Sequence, residues 1–168
     1  MSYMIRQMNS NDTEEVKKIA KITWQDAYGH ILPLDIQEKT LEEAYSLEAM
    51  QYRFDNFIML VAQEEKGIMG YAFFSKKQEN GEALLESIYI HPNRQNKGIG
   101  SKLIQEGTRM LHPLNRLSLH VLKGNESSLL FYKSRGFQVE KEFNHKFQGF
   151  PVTFIRMVLE LKQSSSYT

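Results

Sequence analysis

The sequence predicts a single-domain α/β protein in which a mixed sheet carries helices on both faces. Three observations predict this class. The chain has 168 residues, the usual size of one domain. Its residues are 41% hydrophobic, which is enough to bury one core. Patterns typical of antiparallel hairpins come before and after a single strand–helix–strand pattern in the chain, and this combination is typical of a mixed sheet.

The first third of the chain predicts a short strand followed by helices. Residues 4–8 alternate between apolar and polar side chains as a strand does. Asp12 is expected to cap an amphipathic helix that ends at Gly29, and Asp35 and Ser46 are expected to cap two further helices. This region therefore contributes helices to one face of the sheet.

Hairpin signals follow the helices. Two aromatic-rich apolar runs, 57–63 and 68–76, are separated by Glu65-Lys66-Gly67 and predict two antiparallel strands. Asn80-Gly81 predicts a type I′ turn, because both central residues of that turn need a positive φ. The run 83–91 then predicts the longest of these strands.

The pattern changes to a crossover in the second half. A helix is expected from about residue 98 to 111, between strands 83–91 and 117–122, which predicts two parallel strands joined by that helix. The remaining predictions are a short helix capped by Asn125 and stopped by Gly136, strands 137–143 and 152–161 around Gln148-Gly149, and a disordered tail over 162–168.

Composition excludes several function classes. The 21 basic and 20 acidic residues give a net charge of +1, which argues against a nucleic-acid or anionic-membrane partner. Absence of cysteine excludes disulfides, thiol nucleophiles and Cys-ligated metals. The five histidines have no ligand spacing, so we expect no metal. We find no apolar run of about 18 residues and no secretory signal, and expect the protein in the cytoplasm.

The chemistry-bearing motif lies between strand 83–91 and the next helix. Gln95-Asn96-Lys97-Gly98-Ile99-Gly100-Ser101 places two glycines where a helix opens. A helix N-terminus offers unpaired N–H groups and a positive dipole end, and glycines let an anion approach that backbone closely. The spacing matches neither a P-loop nor a dinucleotide fingerprint. It is consistent with a phosphate site or with an ordinary turn that carries a solvated lysine.

Further motifs resolve this choice. Leu85-Glu86-Ser87-Ile88-Tyr89-Ile90-His91-Pro92 precedes the glycine turn, and Asn125 is followed by Leu130-Phe131-Tyr132-Lys133-Ser134-Arg135-Gly136-Phe137. In these motifs and their order the chain resembles the GNAT superfamily of N-acetyltransferases, over about residues 3–161. The chain also resembles bacterial polyamine-type enzymes of similar size. The family resemblance implies a mixed, mostly antiparallel sheet of about seven strands splayed in the middle, with acetyl-CoA as acetyl donor.

The resemblance also implies the cofactor contacts. The turn from Gln95 to Ser101, that is Gln95, Asn96, Lys97, Gly98, Ile99, Gly100 and Ser101, is expected to hold the diphosphate, with the Gln95 side chain as a further donor. The strands are expected to part beyond residues 88–90 at a bulge, where the pantetheine arm pairs with the backbone of Ile88, Tyr89 and Ile90. Asn125 is expected to touch the pantetheine arm or simply to cap its helix.

Two catalytic residues follow from the same motifs. A primary amine of pKa about 10.4 is charged at pH 7, and making it neutral costs roughly 4 to 5 kcal/mol. Glu86 is the candidate base, or alternatively the charge that binds the ammonium group. Tyr132 is the candidate acid for the leaving thiolate, with aromatic packing as its alternative role.

The acceptor is the least determined part of the prediction. The resemblance places Trp24, Tyr28 and Glu86 near the acceptor, although Trp24 also fits the apolar core. The expected partner is a small-molecule amine such as a polyamine, or a peptide amine, and a homodimer is compatible with the family. The alternatives are a non-catalytic acyl-CoA-binding module and, less compatible with the near-neutral charge, a regulator of protein or nucleic acid.

Overall fold

A computed structural model describes residues 2–161 of the chain, and the predicted tail, 162–168, lies outside them. The domain limits 3–161 stay a prediction. The elements are β1 Met4–Gln7, α1 Thr13–Tyr28, α2 Leu34–Ala44, α3 Leu47–Asn56, β2 Phe57–Glu64, β3 Gly67–Ser75, β4 Glu82–Ile90, α4 Ile99–Met110, β5 Arg116–Leu122, α5 Glu126–Ser134, β6 Gln138–Phe147 and β7 Phe150–Glu160. Short 3-10 turns, Ser10–Asp12 and Pro92–Arg94, precede α1 and α4.

The seven strands form one mixed sheet in the order β1-β2-β3-β4-β5-β7-β6. Every neighbouring pair is antiparallel except β4 and β5, which are parallel and joined through α4. This architecture confirms the predicted fold class.

Apolar clusters cover both faces of the sheet. The first lies on the side of α4, where Phe74, Leu103 and Leu117 are fully buried. The second lies on the side of α1 and α3, where Val16 and Tyr71 are fully buried. The two faces thus bury the apolar stripes of helices that belong to different halves of the chain.

One glycine permits the close packing of α4 on the sheet. A Cβ at Gly107 would lie 2.2 Å from the ring of Phe74, closer than real atoms approach. Only glycine therefore fits between this helix and β3.

The sheet opens between its two parallel strands. The β4–β5 ladder ends where Leu84 pairs with Ser118. Immediately afterwards β4 carries a bulge, because Leu85 and Ser87 pair with Phe74 and Phe73 and leave Glu86 as the extra residue. The predicted position of the opening, beyond residues 88–90, is therefore wrong by several residues; the strands separate directly after Leu84.

The bulge also changes which side chains face which helices. Before it, Ala83 and Leu85 point to the α4 side, whereas after it Ile88 and Ile90 do so. Glu86 faces the α1 and α3 side, where Arg53 holds it, and the extra residue turns Tyr89 toward that side as well. A regular strand would have placed Tyr89 and Leu85 on the same face.

The predicted turn at Asn80-Gly81 differs in the structure. Asn80 does not have a positive φ; only Gly81 does, so Asn80-Gly81 is not a type I′ turn. That pair of positive φ values occurs instead at Gln148 and Gly149, between β6 and β7. The reason is loop length: residues 76–81 separate β3 from β4, whereas two residues separate β6 from β7.

The predicted cap at Ser46 is confirmed and that at Asp35 is wrong, whereas Asp12 occupies the N-cap position of α1 without a side-chain bond to that helix. The carboxylate of Asp12 instead accepts two hydrogen bonds from Arg6, at 2.8 and 2.9 Å, and one from the N–H of Asn9 at 2.9 Å. Asp35 lies inside the first turn of α2, which begins after Pro33. Ser46 accepts a hydrogen bond from the N–H of Ala49 and caps α3 as expected.

Candidate active site

A cavity of about 780 Å³ lies where β4 and β5 separate. Its walls come from β4, β5, the end of α1, the N-terminus of α4 and the start of α5. Most sequence-predicted site residues line it: Tyr28, Glu86, Ile88, Tyr89, Ile90, Gln95, Asn96, Gly98, Ile99, Gly100, Asn125 and Tyr132. Trp24, Lys97 and Ser101 are not among the lining residues.

The N-terminus of α4 forms one end of this cavity. Asn96 and Gly98 have left-handed φ values of 64° and 81°. The first bond of the helix runs from the N–H of Lys102 to the carbonyl of Gly98, so the preceding N–H groups have no partner within the helix. A Cβ at Gly98 would meet nothing within 4 Å, so the space beside this turn is open. The arrangement fits a diphosphate group.

A cation that the sequence analysis missed stands beside this turn. Arg135 lines the cavity, donates to the Ser101 hydroxyl at 2.6 Å and lies over the Phe131 ring at 3.9 Å. The sequence did contain a signal for Arg135, because this residue lies in the motif around Tyr132 that is quoted above. Arg94 also lines the cavity, but its guanidinium is held by Glu64 at 2.7 Å.

The exposed edge of β4 offers backbone groups to the cavity. The N–H of His91 donates to the carbonyl of Met69 on β3. Along a strand, the N–H and C=O groups of successive residues point alternately to the two neighbouring strands. The N–H and C=O groups of Ile88 and Ile90 therefore point away from β3, into the gap. The carbonyl of Ile90 accepts the side-chain amide of Gln95 at 3.0 Å, so the expected phosphate donor is engaged with β4 instead.

Glu86 is held at the acceptor side of the cavity by Arg53. The guanidinium donates to both carboxylate oxygens at 3.0 to 3.1 Å, and the Ser87 hydroxyl donates to one of them at 3.1 Å. Arg53 is itself fixed, since it donates to the carbonyl of Ala44 and lies 5.4 Å from the rings of Tyr45 and Phe73. Sequence reasoning could not find Arg53, because it lies on α3, far from Glu86 in the chain.

Tyr132 faces the cavity from α5. Its ring packs edge-on against Phe131 and Phe137 at 5.2 and 5.6 Å, so aromatic packing and access to the cavity coexist. Burial raises the pKa of Tyr132, which keeps its hydroxyl protonated at neutral pH. The side chain is thus available as a hydrogen-bond donor.

Tyr28 and Trp24 differ in their access to the cavity. Tyr28 lines it, and burial raises its pKa well above the usual value. Trp24 is 8% exposed; its ring packs edge-on against Tyr28 at 5.1 Å and lies tilted against Phe147 at 5.8 Å. Trp24 therefore supports the wall behind Tyr28.

Asn125 combines both of its predicted roles. It is buried, its side-chain oxygen accepts from the N–H of Ser128, and its amide donates to the Ser128 hydroxyl at 2.9 Å. It caps α5 and also lines the cavity.

His120 is a cavity residue that the sequence analysis did not select. Leu117, Leu119 and Val121 of β5 face the α4 cluster, so alternation turns His120 to the opposite face with Glu86. Its ring contacts the rings of Phe143 and Phe154 at 5.0 and 6.0 Å. Partial burial lowers the pKa of His120, and the charges of neighbouring basic side chains lower it further.

A helix end with free N–H groups, an opened pair of parallel strands and a carboxylate thus share one cavity. Comparison with known proteins identifies the family. The model of the acetyltransferase (GNAT) family matches residues 17–137. The chain belongs to this family, which confirms the predicted family and enzyme class, an N-acetyltransferase, for which acetyl-CoA is the acetyl donor.

Individual relatives agree with this placement. The chain is 28% identical to a spermidine N(1)-acetyltransferase from Thermoplasma acidophilum over 149 residues, 83% of this chain and 91% of the relative. The PaiA N-acetyltransferase from Thermoplasma acidophilum, solved with coenzyme A, superposes with a TM-score of 0.84 at 22% identity, covering 96% of this chain and 100% of that one. YncA from Salmonella typhimurium, solved with acetyl-CoA, gives 0.65 at 22% identity, covering 100% and 99%.

Within residues 2–161 no three histidine, aspartate or glutamate side chains are grouped so that they could hold a metal ion. None of the helices in the same range has the length and apolar character needed to cross a bilayer.

Proposed function

We propose that this protein transfers the acetyl group of acetyl-CoA to a primary amine, directly and within a ternary complex, and that the amine is a small polycation such as a polyamine. One observation carries the proposal: a single cavity connects the N-terminus of α4, through the gap between β4 and β5, to the carboxylate of Glu86. An anionic donor at one end and a cationic acceptor at the other match this distribution of charge.

The donor end would be held by backbone groups. The free N–H groups at Ile99, Gly100 and Ser101 and the cation of Arg135 suit the diphosphate. The backbone groups of Ile88 and the N–H of Ile90, which face the gap, suit the amides of the pantetheine arm. These contacts would bring the thioester alongside Tyr132, whose protonated hydroxyl donates to the departing sulfur.

The acceptor end supports a cation. Glu86, Asp26 and Glu126 line the cavity, and they supply carboxylates for more than one ammonium group. The similarity to a spermidine acetyltransferase over 83% of the chain supports the same substrate class. The non-catalytic alternative has no comparable support, because the candidate catalytic side chains Glu86 and Tyr132 both line the cavity.

The experiment is a measurement of free thiol released from acetyl-CoA by the purified protein. The amines tested are spermidine, spermine, amino acids, an aminoglycoside and a peptide with a free amino terminus. We expect the highest kcat/KM with the polyamines, because only they carry several positive charges on a narrow chain. Tight binding of CoA without thiol release from any amine would contradict the proposal and favour the binding module. The cytoplasmic location and the homodimer stay predictions.

A further inference from the structure

We propose that His120 accepts the proton of the acceptor amine, and that Glu86 binds the amine as a fixed charge. This inference rests on the function proposed above and assigns a catalytic residue to it. The geometry that carries it is the position of the two side chains. Each stands two residues beyond the last pair of the parallel ladder, Leu84 with Ser118, and both line the cavity on the α1 side of the sheet.

Glu86 is poorly placed to take up a proton. Both of its oxygens accept hydrogen bonds from Arg53, and one also accepts from Ser87. Protonation would break this charge-assisted pair and leave a guanidinium, 12% exposed at its side chain, without its carboxylate. The remaining lone pairs can still accept a hydrogen bond from an ammonium group.

His120 has the opposite properties. Within residues 2–161 neither of its ring nitrogens makes a hydrogen bond, and the side chain is exposed to the cavity. The other cavity histidine, His30, has its Nε2 atom 3.3 Å from the carbonyl of Gly124 and is thereby occupied. A neutral imidazole with a free nitrogen is the side chain that most readily accepts a proton near pH 7.

The surroundings of His120 keep it neutral. From β7 it faces Arg156, and from β6 it faces Lys141 and His145; these positive charges add to burial in lowering its pKa. The cavity groups opposite are Glu86 of β4 and Asp26 and Tyr28 of α1. Arg156 is itself paired with Glu82 at 2.7 Å, and it also donates to Glu140 at 2.6 Å.

The protons balance as follows. One proton passes from R–NH3⁺ to His120 and leaves R–NH2, whose lone pair forms the N–C bond while the C–S bond breaks. The thiolate takes a proton from the hydroxyl of Tyr132, and the second proton lost by the nitrogen restores that hydroxyl. Ammonium and acetyl-CoA thus yield acetamide, CoA thiol and one proton, which His120 returns to water.

The test compares pH profiles of thiol release for the unaltered protein and for His120→Asn, His120→Gln, Glu86→Gln and His145→Asn. In the unaltered protein kcat should fall as the pH decreases through the pKa of His120, below the usual value of about 6.5. Both His120 variants should lose this acid limb and about 100-fold in kcat, with little change in CoA affinity. Their rate should recover toward high pH, where the amine is already neutral.

The other variants separate the roles. Glu86→Gln should raise KM for the amine and keep the acid limb. His145→Asn, on the same sheet face but outside the cavity, should also keep the acid limb and move it to slightly higher pH, because one neighbouring charge that lowers the pKa of His120 is removed. An unchanged profile in both His120 variants, or loss of the acid limb in Glu86→Gln alone, would overturn the proton-acceptor role while the proposed function stands. Absence of thiol release from any amine in the unaltered protein would overturn the proposed function and this role with it.

Discussion

At the scale of single residues, the site depends on side chains whose state is set by their neighbours. Glu86 occupies the extra position of a bulge and is held by Arg53 from α3. His120 faces basic side chains that keep it neutral, and Tyr132 is kept protonated by burial. The three side chains thus place a carboxylate, an imidazole and a protonated phenol in one cavity.

The role of Tyr132 gives a prediction at this scale. Tyr132→Phe removes the hydroxyl and keeps the ring packing, so kcat should fall by about 100-fold with CoA affinity nearly unchanged. The measurement is steady-state thiol release together with CoA binding by calorimetry.

The matched control is Tyr52→Phe, because Tyr52 is 61% exposed on α3 and lies outside the cavity lining. This control should have the kcat of the unaltered protein. An equal kcat in Tyr132→Phe would remove Tyr132 as the donor to sulfur.

At the scale of elements, the start of α4 and the bulge of β4 shape the cavity. The left-handed residues Asn96 and Gly98 turn the chain so that the first N–H groups of α4 face the cavity. The bulge at Glu86 ends regular pairing where the parallel strands part. Each feature uses backbone geometry that a regular helix or strand does not have.

Gly98→Val tests the start of α4. Valine at a φ of 81° strains the backbone by roughly 1 to 3 kcal/mol and places methyl groups in the open space beside the turn. We expect the Kd for CoA to rise at least about 10-fold, as measured by calorimetry.

Gly149→Val is the control for this strain, since Gly149 has a φ of 80° and equally open space but lies in the β6–β7 turn. It should lose similar stability and retain its CoA affinity. Equal CoA affinities in the two variants would count against the diphosphate assignment.

At the scale of the whole molecule, charged contacts hold separate elements together. Arg6 of β1 holds Asp12 before α1, with side-chain exposures of 27% and 9%. The hydrogen bonds from Arg6 lower the pKa of Asp12, and a carboxyl whose folded pKa is lowered stabilises the fold above its unfolded pKa. This contribution is lost as the pH falls through the lower, folded value.

Asp12→Asn should therefore reduce the free energy of unfolding at pH 7 by roughly 1 to 3 kcal/mol. The variant should also lose less stability than the unaltered protein between about pH 5 and pH 2. Urea denaturation at several pH values measures both effects. Glu14→Gln, whose side chain is 82% exposed, is the control and should change stability by less than about 0.5 kcal/mol. Parallel stability curves for Asp12→Asn and the unaltered protein would contradict the argument.

The sequence by itself determined the class of fold, the order of the main elements, the glycine turn before α4 and the positions of Glu86 and Tyr132. These features depend on periodicity, turn residues and short motifs, all of which act between residues close in the chain. Tertiary structure alone decided the pairing of Arg53 with Glu86, the presence of His120 in the cavity and the point where the sheet opens. Each of these depends on strand register or on helix packing, which brings distant residues together and leaves no local pattern.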